Sequence, residues 1–413
     1  MEQVWIPDRL SKFYAFSMCL MVFTTAEVSW LMGVPRPIVY ILAFLSSAII
    51  IKKKGACFST NRILWIFIWF AYNMLYFFLG SVEIMHFCYC MMFFFFTSAV
   101  LILPLSEMRY LLKAITTCFV VILSVSLVGW ILFLSGVPLP HEGPIFHSNN
   151  FHVYFDYYFF TTQVSRGEYM RFSSVFLEPG QMATPCVFLF HLNTRNEKIF
   201  CYKNMIMLVS IIMSFSLISY GLLILSLISN AIARNKFSRN KMVWLTMTLF
   251  VLGGLAWYFI SHENNAVHKL IVSRLEYDEE SNKISGYNRT GENFEFEYAM
   301  LMNTSDKYFG IQNKLSGKEE NWTTKASGYK KFIVFHGIVG LAIVLLLLLI
   351  LFWDNCSKAS LVFFVMVFLA FWVRNMLTTP LWLTITIVGM YIIGSDTRYP
   401  KLNTNFEHSI IKT

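Results

Sequence analysis

Apolar residues in this chain come in long unbroken runs instead of at strand or amphipathic-helix spacing. Phe13–Met32, Ile63–Gly80, Ile84–Pro104, Met242–Ile260 and Phe332–Trp353 are such runs. They approach the roughly 20 residues that a helix needs to cross a hydrocarbon layer about 30 Å thick. Short basic clusters separate the runs: Lys52-Lys53-Lys54, Arg109 with Lys113, Arg195 with Lys198, and Arg234 to Lys241. Lysine and arginine are retained on the cytoplasmic side, so these clusters orient the chain. The pattern predicts twelve spans with both termini cytoplasmic, at about 12–32, 34–51, 62–80, 84–104, 110–135, 174–193, 199–217, 219–233, 242–260, 329–352, 359–378 and 380–394.

The stretch Ile199–Ala233 has basic clusters at both ends. Both ends then lie in the cytoplasm, and one crossing cannot put them there. Two short spans can, with the break near Ser214-Phe-Ser-Leu-Ile-Ser-Tyr220-Gly221; the other reading is one long tilted helix. No internal repeat is visible, which weakens a transporter built from inverted halves.

Two polar segments interrupt the apolar pattern, and the topology puts both outside. The first, 136–173, carries His141, His147 and His152, an aromatic patch from Phe151 to Phe160, and the cations Arg166 and Arg171. The second, 261–328, holds eleven of the 24 acidic side chains and eight basic ones. Within it, Ala266–Tyr277 and Glu292–Asn303 show mixed apolar and charged helical spacing. The whole chain, 1–413, reads as a single polytopic membrane domain.

Composition agrees with the pattern. Charged residues make up 14% of the 413 and hydrophobic ones 56%, whereas soluble domains carry about 25% charged residues. The net charge of +9 is a topology signal because it is distributed in short inter-span clusters, and it does not indicate nucleic acid. None of the eight cysteines lies in the two polar segments, which excludes an outer domain held by disulfides. Cys88-x-Cys90 reads as lipid-facing or core packing, and no metal site or cofactor is expected. The start of the chain shows no cleavable signal peptide: the apolar run that follows is too long.

Candidate chemistry concentrates in Arg171-Phe-Ser-Ser-Val-Phe-Leu-Glu178-Pro-Gly180-Gln. It sets an arginine at an outer membrane surface and a carboxylate seven residues later, where Pro179-Gly180 breaks the backbone. An ionisable group at that depth is costly and defaults to a functional hypothesis; the structural reading is an Arg–Glu pair that pins the helix. Arg274 and Arg289 lie in the second polar segment. A guanidinium grips phosphate through two parallel hydrogen bonds, but surface ion pairing is the ordinary role of such arginines. Arg374 either snorkels to the surface or faces the same cavity as the loops. Glu27, in the first span, reads as structural. The chain has no Walker motif, GxGxxG, HExxH or GxSxG, and no D-x-D in an outer segment, so a nucleotide-sugar donor is not expected. The donor is instead expected to be lipid-linked.

In this light four segments resemble the O-antigen polymerase and ligase superfamily of membrane glycosyltransferases. They are Arg171 to Gly180; Ser214 to Gly221; Arg274 with Ser285 to Arg289 and Tyr308-Phe-Gly310-Ile; and Tyr329 to His336-Gly337-Ile-Val-Gly340. The resemblance covers roughly Arg171–Thr378. It implies an all-α, C-type glycosyltransferase fold with a large periplasmic loop in the bacterial inner membrane. It also implies polymerisation of undecaprenyl-pyrophosphate-linked repeat units at the periplasmic face, without metal or cofactor. Donor and acceptor would both be lipid-linked oligosaccharides, and a chain-length regulator is the candidate protein partner. The residues implicated are Glu178 as proton acceptor with Arg171 beside it, and Arg166, Arg274, Arg289, Tyr220 and Arg374 as diphosphate contacts. Ligases carry a histidine near the end of the large loop, where this chain has Ala326. That departure favours polymerase over ligase, and a lipid-linked oligosaccharide transporter is the alternative from another class.

Overall fold

The computed structural model of the chain describes residues 7–26, 28–80, 84–147, 152–163, 171–233, 277–278, 283–284, 292–311, 328–374 and 377–398. The span expected at 242–260, the helix expected over Ala266–Tyr277 apart from its last residue, and Glu27 lie outside the described residues. The chain is mostly helical and divides into two compact units, Met1–Ser126 with Tyr298–Glu320 and Gly328–Thr413, and Leu127–Glu297 with Asn321–Ser327.

The first unit holds α1 (Arg9–Thr25), α2 (Arg36–Lys54), α3 (Thr60–Leu79), α4 (Ile84–Ile102) and the start of α5 (Leu105–Leu134). Local signals set the helix ends. The Asp8 carboxylate accepts from Ser11 N at 2.8 Å and caps α1, and Ser59 caps α3 through Arg62 N at 3.2 Å. At the end of α2, Gly55 takes φ 84° after Lys52, Lys53 and Lys54, three cations that favour the negative pole of the helix.

Polar contacts then gather alternate helix ends at one face. Lys54 of α2 reaches Asp8 at 2.9 Å and the buried Glu107 of α5 at 3.7 Å. Ser11 of α1 donates to the same Glu107 at 3.0 Å, and Cys57 N meets Ile102 O of α4 at 2.8 Å. Arg109 pairs with Asp396. Consecutive helices α1 to α5 therefore alternate in direction.

Among the described residues, three helices are long and apolar enough to cross a membrane: Thr60–Leu79, Leu105–Leu134 and Gly328–Asp354. Several shorter apolar helices accompany them. Large apolar side chains point outward from these helices, among them Phe67 at 69% and Phe78 at 68% exposure. A water-soluble surface rarely bears so many in contiguous patches, and the protein is membrane-associated.

The second unit contains two elements that the apolar pattern does not announce. The aromatic segment forms a three-stranded antiparallel sheet, β1 (Glu142–His147), β2 (His152–Asp156) and β3 (Thr161–Gln163), in the order β1-β2-β3. A second ribbon pairs β4 (Tyr277–Asp278) with β5 (Lys283–Ile284). The all-α expectation thus needs correcting in the polar segments, where aromatic and β-branched residues fit a pleated, half-buried surface.

Among the described residues three helices follow in this unit: α6 (Pro179–Asn196), α7 (Tyr202–Met213) and α8 (Leu217–Ala233). Helix α6 begins at Pro179, five residues later than the expected 174, because Arg171–Leu177 is non-helical and Ser174 has φ 55°. It is buried on all sides, as expected for the central helix of a unit. Polar contacts tie it to α8: His191 Nδ1 lies 3.0 Å from Ser226 Oγ, and Asn230 Nδ2 donates to Thr194 Oγ1 at 2.7 Å. The break between α7 and α8 falls at Ser214–Ser216, where the sequence puts it, so one continuous helix is excluded. At 12 residues, α7 rises only about 18 Å and is shorter than a full span.

The chain then returns through α9 (Glu292–Met302), close to the expected Glu292–Asn303, into α10 (Gly328–Asp354), α11 (Lys358–Val373) and α12 (Pro380–Arg398). A Ser357–Ser360 capping box starts α11. Helix α12 is almost wholly buried within the first unit. Asp354 at the end of α10 accepts from Asn61 at 3.1 Å and from Tyr391 at 2.7 Å, so α10 also ends at the ion-paired face.

Candidate functional site

The sequence singled out Arg171–Gly180 and Ser214–Gly221, and the fold brings them together. Arg171 Nε donates to Ser214 O at 3.0 Å, and a terminal guanidinium nitrogen donates to Phe215 O at 2.8 Å. Phe172 N donates to Met213 O at 3.0 Å. These carbonyls belong to the last turn of α7 and the tight turn after it, where Phe215 takes φ 47°. A helix leaves its last carbonyls without internal partners, and a cation there also meets the negative pole of the dipole. Tyr220 completes the cap by donating its hydroxyl to Ile212 O. The geometry of Arg171 is therefore that of a cap on a helix break.

Sheet residues hold the strap between Arg171 and Glu178 in place. Thr161 N donates to Ser174 O at 2.8 Å, Thr161 Oγ1 to Phe176 O at 2.6 Å, and Ser173 Oγ to Thr161 O at 2.7 Å. The strap delivers Glu178 to the N-cap of α6, with φ −129° and ψ 139°. Its backbone carbonyl accepts from Gln181 N at 3.0 Å, while its carboxylate makes no capping hydrogen bond.

The aromatic patch divides into two populations. Tyr154 and Phe160 are buried; Phe160 stacks on Tyr157 at 4.9 Å and meets Trp130 edge-on at 5.2 Å. Tyr158 and Phe159 are exposed, and Tyr158 donates to Glu142 Oε1 at 2.8 Å. Among the described aromatics of this patch, these two keep exposed ring surface, and the buried ones build the seat of the sheet on α5.

In the first unit Tyr308–Ile311 meets the segment around Gly337. Helix α10 is broken at Gly337, with φ 65° and ψ −178°. A break deep in an apolar layer leaves backbone groups that need partners, and Tyr308–Ile311 supplies them. Ile311 N donates to Val334 O at 2.8 Å, and Val339 N donates to Tyr308 O at 3.0 Å. Tyr76 of α3 donates its hydroxyl to His336 O. His336 stacks on Phe332 at 4.5 Å, and its Nδ1 lies 3.2 Å from the Tyr72 hydroxyl. Tyr308–Ile311 of the large loop is thus built into the bend of α10.

Arg166, Arg274 and Arg289 lie outside the described residues. Arg374 follows α11 as its C-cap, its amide donating to Ala370 O at 2.8 Å. Among the described residues, no group of three histidine, cysteine or acidic side chains is placed to hold a metal. Sequence reasoning missed one feature, a cavity of about 490 Å³ in the first unit, with Arg36, Asn73 and His86 among its lining. Cys90 also lines it, its Sγ 3.7 Å from His86 Nε2, so this thiol faces space as well as packing. Its residues come from four separate helices, and no spacing rule in the sequence connects them.

No protein-family model, no curated protein and no solved structure matches this chain.

Proposed function

We propose that this protein is a metal-independent membrane glycosyltransferase. In this reading it polymerises undecaprenyl-pyrophosphate-linked repeat units into O-antigen or a related surface polysaccharide. The observation that carries the reading is pairwise. Of the four resembling segments, the Arg171 strap caps the Ser214–Ser216 turn, and Tyr308–Ile311 fills the bend at Gly337. Segments far apart in sequence that interlock in this way behave as parts of one design.

The chemistry follows from a donor whose leaving group is already a diphosphate. The acceptor hydroxyl attacks the anomeric carbon as the bond from that carbon to the diphosphate oxygen breaks. The hydroxyl proton passes to Glu178, and the charge gathering on the diphosphate needs fixed cations, the largest contribution in such steps. We assign that charge to Arg166, Arg274, Arg289 and Arg374, with Arg171 and Tyr220 holding the α7–α8 turn. Twelve spans, cytoplasmic termini and a periplasmic large loop in the bacterial inner membrane belong to the same reading. Helix α5 leaves the ion-paired face and α10 returns to it, which requires an even number of crossings between them. A ligase reading gains nothing from His336, which is packed between Phe332 and Tyr76.

Deleting the gene tests the proposal. The expected result is single repeat units on the lipid core, because a separate ligase still acts. Accumulation of full-length polymer on undecaprenyl pyrophosphate would make this protein the ligase, and an unchanged polymer profile would remove both readings.

A further inference from the structure

The ion-paired face of the first unit holds more positive charge than its carboxylates neutralise. Lys54 lies between Asp8 and the buried Glu107. Four more cations stand at the same joined helix ends: Arg9 and Lys12 at the start of α1, and Lys52 and Lys53 in the last turn of α2. All four are exposed. Among the described residues, none of these four side chains has an ion-pair or hydrogen-bond partner. The joined ends thus set five cations against two carboxylates. Like charges one helical turn apart repel, and an anion among them removes that cost.

Each cation pair continues into an exposed apolar stripe. On α1, Arg9, Lys12, Phe13 and Phe16 follow the spacing of one helix face, and Phe13 and Phe16 are 43% and 63% exposed. On α2, Leu45, Ile49 and Lys52 make a stripe of the same kind, with Leu45 50% exposed. The opposite faces, with Tyr14 and Met18 on α1 and Ala43 and Ile50 on α2, are buried. The two helices pack on each other, and the Asp8–Lys54 bridge holds their charged ends side by side. The rise from Lys12 to Phe16 is about 6 Å, and from Lys52 back to Leu45 about 10 Å. Orienting a chain in a bilayer needs only cations near a helix end. It does not need them unpaired and set over outward apolar stripes. An occupant of this surface meets positive charge at one level and apolar side chains at the next.

We propose that the joined ends of α1 and α2 bind an anionic phospholipid. Its phosphate lies among Arg9, Lys12, Lys52 and Lys53, and its acyl chains run along Phe13, Phe16, Leu45 and Ile49. The Asp8–Lys54 bridge positions the two cation pairs and takes no part in the contact. The inference rests on the membrane character of the chain and not on glycosyl transfer, so it stands or falls separately from the gene-deletion result.

The test uses the full chain in a neutral detergent, with thermal stabilisation read against three probes. Dihexanoyl phosphatidylglycerol carries both the phosphate and the chains. Dihexanoyl phosphatidylcholine has the same chains without net charge, and glycerol 3-phosphate has the charge without chains. The first is expected to raise the unfolding temperature saturably, with a half-saturating concentration at least about tenfold lower than either of the others. Arg9→Gln/Lys12→Gln and Lys52→Gln/Lys53→Gln should each weaken it, by about fivefold for every cation removed. Without lipid, both double variants should unfold at the wild-type temperature, since these side chains have no described partner in the protein; that keeps a loss of binding distinct from a loss of fold. Lys198→Gln, an exposed lysine of the second unit, should leave the titration unchanged. Equal potency of phosphatidylcholine, or of glycerol 3-phosphate, overturns the anionic-lipid assignment. Unchanged affinity in both double variants, or an equal loss in Lys198→Gln, overturns the site.

Discussion

Replacing Gly337 by alanine tests the joint between the large loop and α10. Two costs add. At φ 65° and ψ −178° an L-residue is strained by about 1–3 kcal/mol. A methyl group there also collides with the Tyr308 carbonyl and comes within 2.5 Å of Phe309 N. These are backbone atoms and cannot rotate aside. Making room means lifting Tyr308–Ile311 away, which breaks its bonds to Val334 O and from Val339 N. Each buried group left without a partner costs about 1–3 kcal/mol. The sum, about 3–9 kcal/mol, is comparable with the whole stability of a typical domain, about 5–15 kcal/mol.

Gly340→Ala makes the contrast. Its methyl meets the Tyr76 hydroxyl and His336 Cβ, and the first of these sits at the end of a side chain. Unfolding temperature in detergent, with tryptic cleavage at Lys307 as the local readout, separates the two variants. Gly337→Ala should lower Tm by at least about 6 °C and expose Lys307. Tyr76→Phe should rescue part of Gly340→Ala and nothing of Gly337→Ala. A Gly337→Ala protein within about 2 °C of wild type, with Lys307 still protected, would refute the reasoning.

The remaining expectations are shorter. Arg171→Ala should destabilise the α7–α8 turn by about 1–3 kcal/mol, since two carbonyls lose a charged donor, and Arg171→Lys should recover only part because it lacks the fork; equal unfolding temperatures for all three proteins would remove the capping role. Glu178→Gln should lower polymer turnover more than donor binding; near-normal polymer at equal expression would leave Glu178 as a structural residue. The Lys54 hydrogen bond, with the Ser11 amide, holds the Asp8 carboxyl well below the usual carboxylate range. Its stabilisation is therefore present above the unfolded value of about 3.9 and is lost as pH falls below it. Wild type should exceed Asp8→Asn in Tm by a constant margin from about pH 8 to 5, shrinking below about pH 4, and a margin that grows in acid would contradict this. A cysteine placed at Asn282 should react with an impermeant reagent in cells whose inner membrane is intact; labelling only after permeabilisation would invert the topology.

Membrane character, the positions of most helices and the α7–α8 break were legible from residue order alone. The reason is that a bilayer acts on every residue of a span in the same way. Each must be apolar or hidden, so the constraint is local and prints itself as runs such as Phe332–Trp353. The strap Arg171–Glu178 was visible as well, because charge beside an apolar run is rare enough to stand out. What Arg171 touches was not visible. Its partners are the carbonyls of Ser214 and Phe215, and every residue has a carbonyl, so no side-chain pattern announces them. The β1–β3 sheet was hidden for a related reason: an aromatic run looks the same whether its rings face ligand or, like Phe160, pack on Trp130. Nor does any spacing rule connect Gly337 to Tyr308, or Arg36 to His86 and Thr379. Those meetings are decided by how the helices cross, and only the tertiary structure holds that information.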